Sequence, residues 1–113
     1  MQAPECFGLI PTYSTKSDVY AFAIILWEMC HWQRSYEGVI IGEIRDSIKN
    51  GDRLPIADNI SEFLKNLILA CWQQNPRERL PFGSIVTQLR KSSARKSDND
   101  IMVLAKIASV IPM

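Results

Sequence analysis

The sequence predicts an all-α fold, and three observations support this prediction. Apolar residues recur at helical spacing in four segments of the chain. Residues that commonly begin or end helices, such as serine, glycine and proline, stand at the borders of these segments. No stretch of useful length alternates between apolar and polar residues, as a half-buried strand would. With 113 residues, of which 47% are hydrophobic and 22% charged, the chain is long enough for one small domain with a core.

The first predicted helix runs from about residue 15 to residue 31 and begins at a cap formed by Thr15 or Ser17. Apolar side chains occupy nearly every position from Tyr20 to Trp27, so this helix has no polar face. A helix that is apolar almost all round is normally buried on every side. We therefore expect it to lie inside a larger folded body.

The second predicted helix is amphipathic and peripheral, and it spans Val39 to Ile48. Asn50-Gly51 supplies its stop signal, because asparagine and glycine readily leave the helical conformation. Its apolar stripe consists of Ile40, Ile41, Ile44 and Ile48.

An extended link, Leu54-Pro55-Ile56, precedes the third helix, because proline restrains both itself and the residue before it. The third helix is capped by Ser61 and ends before Pro76. The fourth runs from about Phe82 to Lys91, and its predicted inward residues are Ile85, Val86 and Leu89.

Composition argues against several classes of protein. The net charge of +1 gives no basic field for nucleic acid. Cys6, Cys30 and Cys71 are odd in number, widely spaced and set in apolar surroundings, which favours reduced core thiols in a cytoplasmic protein.

The first residues do not form a signal peptide. The longest apolar stretch, Ile101 to Pro112, is too short for a membrane span. His31 has no partner at ligand or triad spacing, so we interpret it as structural.

Four short motifs occur in a fixed order. They are Ala3-Pro4-Glu5, Ser17-Asp18-Val19-Tyr20-Ala21-Phe22, Trp27-Glu28 and Cys71-Trp72-x-x-x-Pro76-x-x-Arg79. With this order and spacing the chain resembles the second half of the C-terminal lobe of a protein kinase, most closely of the tyrosine-kinase-like group. The resemblance implies that residues 1–91 are a partial kinase domain, made of the end of the activation segment and four helices. Residues 92–113, a basic and serine-rich tail followed by a short apolar segment, match nothing in the family and stay unassigned.

The resemblance also implies what the chain does not carry. In protein kinases the Gly-rich loop, the strand lysine, the catalytic-loop residues and the Mg-binding aspartate all precede the Ala-Pro-Glu motif. We therefore expect no catalytic residue, no metal ligand and no direct ATP contact in this chain, which should be inactive alone. ATP and Mg would bind to the intact kinase.

Four residues are expected to have structural roles, on the basis of the resemblance. Glu5 and Arg79 match the two partners of a buried bidentate ion pair that ties the end of the activation segment to the lobe. Taken alone, Glu5 could equally be a carboxylate favoured by a helix dipole. Asp18 matches an aspartate that accepts hydrogen bonds from the catalytic loop, although it too could be an ordinary first-turn acid. Trp72 is expected to pack inside the lobe.

Ile25 and Met29 share the helical face of Asp18, because they follow it by seven and eleven positions. In the family the matching residues form the floor of a column of side chains that the adenine of ATP completes. Packing in the core explains both residues equally well, and it is the interpretation we prefer.

Two function classes follow from the resemblance. In the first, the chain is part of a kinase that phosphorylates Ser or Thr of protein substrates in signalling, with Tyr as the alternative acceptor and the rest of the kinase domain as its main partner. In the second, it is a non-catalytic, pseudokinase-like module that binds regulators through the Val39 to Ile48 helix. Both predict protein partners in the cytoplasm, no nucleic acid and no membrane span.

Overall fold

The fold is given by a computed structural model, which describes residues 2–91. Within these residues every regular element is a helix and no strand occurs, which confirms the all-α prediction. The four α-helices are α1 (Thr15–His31), α2 (Ile41–Lys49), α3 (Glu62–Cys71) and α4 (Phe82–Lys91). Two short 3-10 turns, at Pro4–Phe7 and Pro76–Glu78, were not predicted from the sequence. We refer to them as the first and second 3-10 turns.

The start of α1 differs from the prediction in one respect, since the cap is Ser14 and not Thr15 or Ser17. The hydroxyl of Ser14 accepts a hydrogen bond from the Lys16 amide at 3.2 Å. The hydroxyl of Ser17 accepts one from the Ser14 amide, also at 3.2 Å. The two serines thus form a reciprocal capping box in which each satisfies an amide that the helix leaves unpaired.

The core is built mainly where α1 packs against α3. Helix α4 adds Ile85 and Leu89, whereas Val86, which was predicted to face inward, is only partly buried. Burying one large aliphatic or aromatic side chain contributes roughly 1.5–3 kcal/mol. The buried apolar residues of α1 and α3 are Val19, Tyr20, Phe22, Ala23, Ile24, Leu26, Trp27, Cys30, Leu64, Leu67, Ile68 and Cys71.

Helix α2 begins two residues later than predicted and buries less of its stripe. Gly38, at a φ of 79°, turns the chain just before the helix, and Val39 and Ile40 remain outside it. Ile40 and Ile41 are 70% and 73% exposed, and of the predicted stripe only Ile44 and Ile48 are buried. The helix ends as predicted, because Gly51 adopts a φ of 92°, which favours glycine.

His31 is a structural residue, as its sequence surroundings indicated. Its ring stacks on Trp27 with 4.2 Å between ring centres, and Nδ1 lies 2.8 Å from the Trp27 carbonyl oxygen. Its Nε2 accepts a hydrogen bond from the Ala57 amide at 3.1 Å. The indole Nε1 of Trp27 donates to the Pro55 carbonyl at 2.9 Å. These bonds fasten the link before α3 to the end of α1.

All three cysteines are buried and free, which confirms their assignment as core thiols. Burial raises the pKa of the Cys71 thiol to about 12, so this residue stays protonated and unreactive at neutral pH.

No helix among residues 2–91 has both the length and the apolar character needed to cross a membrane. The tail and the apolar segment at residues 92–113, which the sequence left unassigned, lie outside the described residues.

The Ser14 cap leads to a direct test. Replacing Ser14 with Ala should lower the free energy of unfolding by about 1 kcal/mol, because the Lys16 amide loses its acceptor. Urea denaturation followed by circular dichroism measures this change. The exposed Thr12 is a matched control, since Thr12→Ala should cost less than about 0.5 kcal/mol. Equal losses in the two variants would contradict the capping role.

Candidate functional site

Glu5 and Arg79 meet in the structure although 74 positions separate them in the sequence. Nη1 of Arg79 donates to Oε2 of Glu5 at 2.8 Å, and Nη2 donates to Oε1 at 2.9 Å. This is the parallel, bidentate geometry in which a guanidinium binds a carboxylate most strongly. The Arg79 side chain is 0% exposed and that of Glu5 is 15% exposed, so the guanidinium is buried and the carboxylate is largely shielded from water.

The guanidinium of Arg79 has an acceptor for every hydrogen. Besides its two bonds to Glu5, it donates to the carbonyls of Gln73 at 2.7 Å, Lys16 at 2.9 Å and Gln74 at 3.3 Å. A guanidinium has five N–H donors, and all five are paired here. Complete pairing offsets much of the large cost of removing a charge from water.

Three parts of the chain converge on this pair. Glu5 lies in the first 3-10 turn, and the Ser17 hydroxyl, in the first turn of α1, donates to its Oε2 at 2.7 Å. Arg79 follows the second 3-10 turn, whose start is capped by the Asn75 side chain. We call Glu5, Ser17 and Arg79 the anchor.

The Glu5 carboxylate of the anchor is negatively charged at neutral pH. Burial by itself raises the pKa of the Glu5 carboxyl, but the hydrogen bonds from Arg79 and then Ser17 outweigh it and hold the pKa below the ordinary value of 4.5. The carboxylate therefore carries its negative charge where the buried guanidinium needs it.

Tyr20 and Arg53 extend the anchor towards the end of α3, and sequence reasoning did not select either as a site residue. The guanidinium carbons of Arg79 and Arg53 each lie 5.1 Å from the centre of the Tyr20 ring, which is cation–π distance. Arg53 also donates to the carbonyl of the buried Trp72 at 2.9 Å and to Oε1 of Gln74 at 2.7 Å. The motif and the helical spacing of apolar residues both predict that Tyr20 is buried, whereas no local sequence pattern identifies Arg53 as a site residue.

Asp18, Ile25 and Met29 lie on a face of α1 that the described residues leave uncovered. Asp18 is exposed, and no group among residues 2–91 donates a hydrogen bond to its carboxylate. Ile25 is 47% exposed, which corrects the preferred interpretation that it packs in the core. Met29 is partly buried against the core. The periodicity identified an apolar position correctly, but it could not tell which segment covers it.

Phe82 extends the same apolar surface. Phe82, at the start of α4, is exposed and contacts Phe22 edge to face, with 6.2 Å between ring centres. Trp32, directly after α1, is exposed at a φ of 52°. We call Asp18, Ile25, Met29 and Phe82 the open face.

Among residues 2–91 no group of three or more His, Cys, Asp or Glu side chains is placed to hold a metal ion. The buried guanidinium of Arg79 has all its donors paired inside the protein and is not free to bind phosphate. The anchor fixes the positions of chain segments, and we assign no chemical step to it.

Breaking the anchor should be costly. We expect Glu5→Gln or Arg79→Met to lower the free energy of unfolding by about 3–5 kcal/mol, because each change breaks the ion pair, and Glu5→Gln leaves the buried guanidinium without a counter-charge. The double variant should lose less than the sum of the two, because neither charge then remains alone. Urea denaturation of the wild type, the two single variants and the double variant measures the coupling free energy between Glu5 and Arg79. Glu78→Gln, at an exposed neighbour, is the control, and additive losses would contradict a buried pair.

The anchor also predicts a dependence on pH. The pKa of Glu5 is lower in the folded than in the unfolded protein, so its stabilisation is complete above the ordinary value of 4.5 and is lost as the pH falls through the folded value. The stability difference between the wild type and Glu5→Gln should therefore be constant near neutrality and shrink in acid. Urea titrations across this range test it, and a difference that does not change with pH would count against the assignment.

Comparison with known proteins agrees with these motifs. A family model described as protein tyrosine and serine/threonine kinase matches residues 1–89. A probable serine/threonine-protein kinase of Dictyostelium discoideum is 39% identical over 87 residues, covering 74% of this chain and 7% of that protein. The tyrosine-protein kinase receptor Tie-1 of Danio rerio is 36% identical over 87 residues, covering 75% and 47% respectively.

A third relative is named tyrosine-protein kinase-like otk, from Drosophila mojavensis. It is 34% identical over 97 residues, which cover 80% of this chain and 9% of that protein. The chain thus spans less than half of the length of each of these three relatives. Since the family model matches most of the chain and the kinase motifs come together in the fold, this chain belongs to the protein tyrosine and serine/threonine kinase family.

Proposed function

We propose that residues 1–91 are the helical C-lobe portion of a protein kinase domain, and that the intact kinase transfers the γ-phosphate of ATP to Ser or Thr hydroxyls of protein substrates in signalling. In this proposal the chain supplies scaffold and substrate-side surface, has no catalytic residue and is inactive alone. Residues 92–113 lie outside the domain.

The anchor is the observation that carries this proposal. Glu5 and Arg79 come from two separate kinase motifs and form a buried pair in which every guanidinium hydrogen has an acceptor. Phosphoryl transfer depends mostly on positioning, so a rigid attachment of the segment before α1 to the lobe suits that chemistry.

In this proposal the rest of the kinase domain would pack on the open face. Ile25 and Phe82 would be covered there, and their burial would contribute roughly 1.5–3 kcal/mol each. The unpaired carboxylate of Asp18 would accept backbone hydrogen bonds from the catalytic loop, and Ile25 and Met29 would support the column of side chains below the adenine. ATP and Mg would be bound by residues of the parent protein outside the described part of this chain.

Ser/Thr specificity is the finer part of the proposal. It is supported by the likeness of the Ser-Asp-Val-Tyr and Cys-Trp motifs to the tyrosine-kinase-like group and by the Dictyostelium discoideum relative, whose name specifies serine/threonine. Protein substrates and regulators are the proposed partners, and nucleic acid is not. The buried free thiols support a reducing, cytoplasmic site of action.

A non-catalytic, pseudokinase-like binding module is the second candidate. One observation favours it, which is that Ile40, just before α2, and Ile41, its first residue, are exposed to solvent and could contact another protein. The two candidates make different statements about the native product, so they can be separated.

The native product decides between them. An antibody against Asn50–Asn59, most of which is exposed, would isolate the protein from cell extract for measurement of its mass and peptides. The isolated protein would then be incubated with labelled ATP, Mg and protein substrates, followed by phosphoamino acid analysis. We expect a species larger than 12.9 kDa that contains the missing kinase motifs and yields phosphoserine or phosphothreonine.

Each other result has a distinct meaning. Phosphotyrosine would overturn the specificity but not the kinase assignment. A product of 12.9 kDa alone, without transferase activity, would overturn the proposal in favour of the binding module. Pre-incubation of the antibody with its own peptide controls for carry-over of an unrelated kinase.

A further inference from the structure

A groove of about 290 Å³ lies between the first 3-10 turn and α2. It is lined by Gln2, Phe7, Ile41, Ile44 and Arg45. Three of these residues are large and apolar, and Ile41 is 73% exposed. A concave apolar surface that is left in water is a place where another segment of protein can pack. We call this feature the α2 groove.

The groove side of α2 is basic. Since successive residues of an α-helix are rotated by about 100°, Arg45 and Lys49 lie within about 80° of Ile41 on the same flank. Glu43 and Asp46 lie about 140° or more away from Ile41. A segment that enters the groove therefore meets cations and is remote from the acidic residues of the helix.

The Arg45 guanidinium has no counter-charge among residues 2–91. It lies over the face of the Phe7 ring, with 5.6 Å between the guanidinium carbon and the ring centre, where it forms part of the groove wall. No described carboxylate forms a salt bridge with it. A guanidinium held on an aromatic wall in this way is suited to bind a carboxylate that residues outside the described part of the chain bring to it.

The sequence that follows the described residues has the complementary character. Asp98 and Asp100 stand immediately before an apolar run that begins at Ile101. The run, residues 101–113, contains one charged residue, Lys106. Apolar side chains gain free energy when they leave water, and the two aspartates supply the carboxylates that the cations of α2 lack. One chain therefore carries both an apolar groove flanked by cations and an apolar segment preceded by anions.

We propose that the chain's own residues 98–104 dock in the α2 groove. The aliphatic side chains of this segment would pack between Phe7 and Ile41, and its two carboxylates would pair with Arg45 and Lys49. We call residues 98–104 the docking segment. The proposal uses none of the anchor or open-face residues and does not depend on phosphoryl transfer by the parent protein. Its consequence is that another protein reaches Ile41 only by displacing the docking segment.

The chain between α4 and the docking segment is long enough for this contact. A fully extended chain spans at most about 3.3–3.6 Å per residue, so Ile101 can lie up to about 35 Å from Lys91, the last residue of α4. The structure measures 44 × 30 × 22 Å along its principal axes. The connection therefore reaches across all but the longest of these dimensions.

This connection also favours the chain's own segment over other occupants. A short flexible tether holds a ligand at an effective concentration on the order of 1 mM. The same segment of a second copy, or a segment of a separate protein, must compete with that concentration. Direct contact between two α2 helices across a two-fold axis is unfavourable in addition, because it would set Arg45 and Lys49 against the same cations.

Charge selects the α2 groove over the open face. The open face is apolar as well, but it carries the exposed carboxylate of Asp18, which would repel the two aspartates of the docking segment. The α2 groove presents Arg45 and Lys49 at the equivalent place. Of these two surfaces, only the α2 groove matches the docking segment in both polarity and charge.

Paramagnetic NMR on the full 113-residue chain tests the proposal. A nitroxide is attached through Ala105→Cys, directly after the docking segment, and the native cysteines do not compete for it because all three are buried. We expect the amide signals of Ile41 and Arg45 to lose most of their intensity relative to the sample with reduced nitroxide. The amide signal of Ile25, on the open face, should lose less.

Charge reversal locates the contact. Arg45→Glu should restore the Ile41 signal, because it sets a carboxylate against the two aspartates of the docking segment. Adding Asp98→Lys and Asp100→Lys to this variant should bring the signal loss back. Glu43→Gln, on the far side of the same helix, is the control and should change nothing. Positions 43 and 45 are exposed, so circular dichroism spectra should match the wild type.

Each other result would overturn the proposal. Undiminished signals of Ile41 and Arg45, or a loss that survives Arg45→Glu, would show that the docking segment does not occupy the groove. A stronger loss at Ile25 than at Ile41 would place the segment on the open face. A mixture of nitrogen-15-labelled chain without nitroxide and unlabelled chain with nitroxide gives the last check, since signal loss at Ile41 in this mixture would assign the groove to the segment of a second copy.

Discussion

The buried charge of Arg79 is the constraint on which this small structure depends. A guanidinium removed from water must find a counter-charge and an acceptor for each N–H, and here these come from three separate parts of the chain. Glu5 reaches it from the first 3-10 turn, Lys16 from α1, and Gln73 and Gln74 from the residues after α3. The cation therefore fixes the positions of the two 3-10 turns relative to α1 and to the end of α3.

The same arrangement leaves two separate surfaces exposed. The open face of α1 presents Ile25 and Met29 beside the unpaired Asp18, and a kinase domain would cover it with its remaining helices and loops. A second surface lies between the first 3-10 turn and α2, where Phe7, Ile41 and Ile44 form an apolar wall beside the Arg45 guanidinium. The anchor joins the elements that carry both surfaces, because Glu5 lies in the first 3-10 turn and Ser17 lies in α1.

Sequence reasoning found most of the helices because their apolar periods and caps are local properties. It placed α1 and α4 correctly, and the motif order paired Glu5 with Arg79 although no local rule connects them. It missed the Ser14 cap and the role of Arg53. Neither the capping box of Ser14 and Ser17 nor the contact of Arg53 with the Tyr20 ring produces a periodic pattern in the sequence. It also expected Ile25 to be covered, since periodicity records that a side chain is apolar but not which segment buries it.

Amide hydrogen exchange on the wild type and Glu5→Gln tests most directly whether the anchor joins the two 3-10 turns to the lobe. The Thr12 amide donates to the Glu5 carbonyl at 3.2 Å, and the Leu80 amide donates to the Ala70 carbonyl at 3.3 Å, so these two amides report on opposite sides of the ion pair. With Ile24 in the centre of α1 as reference, we expect both to lose protection together in the variant. Unchanged protection of Leu80 relative to Ile24 would contradict the anchor as the link between these segments.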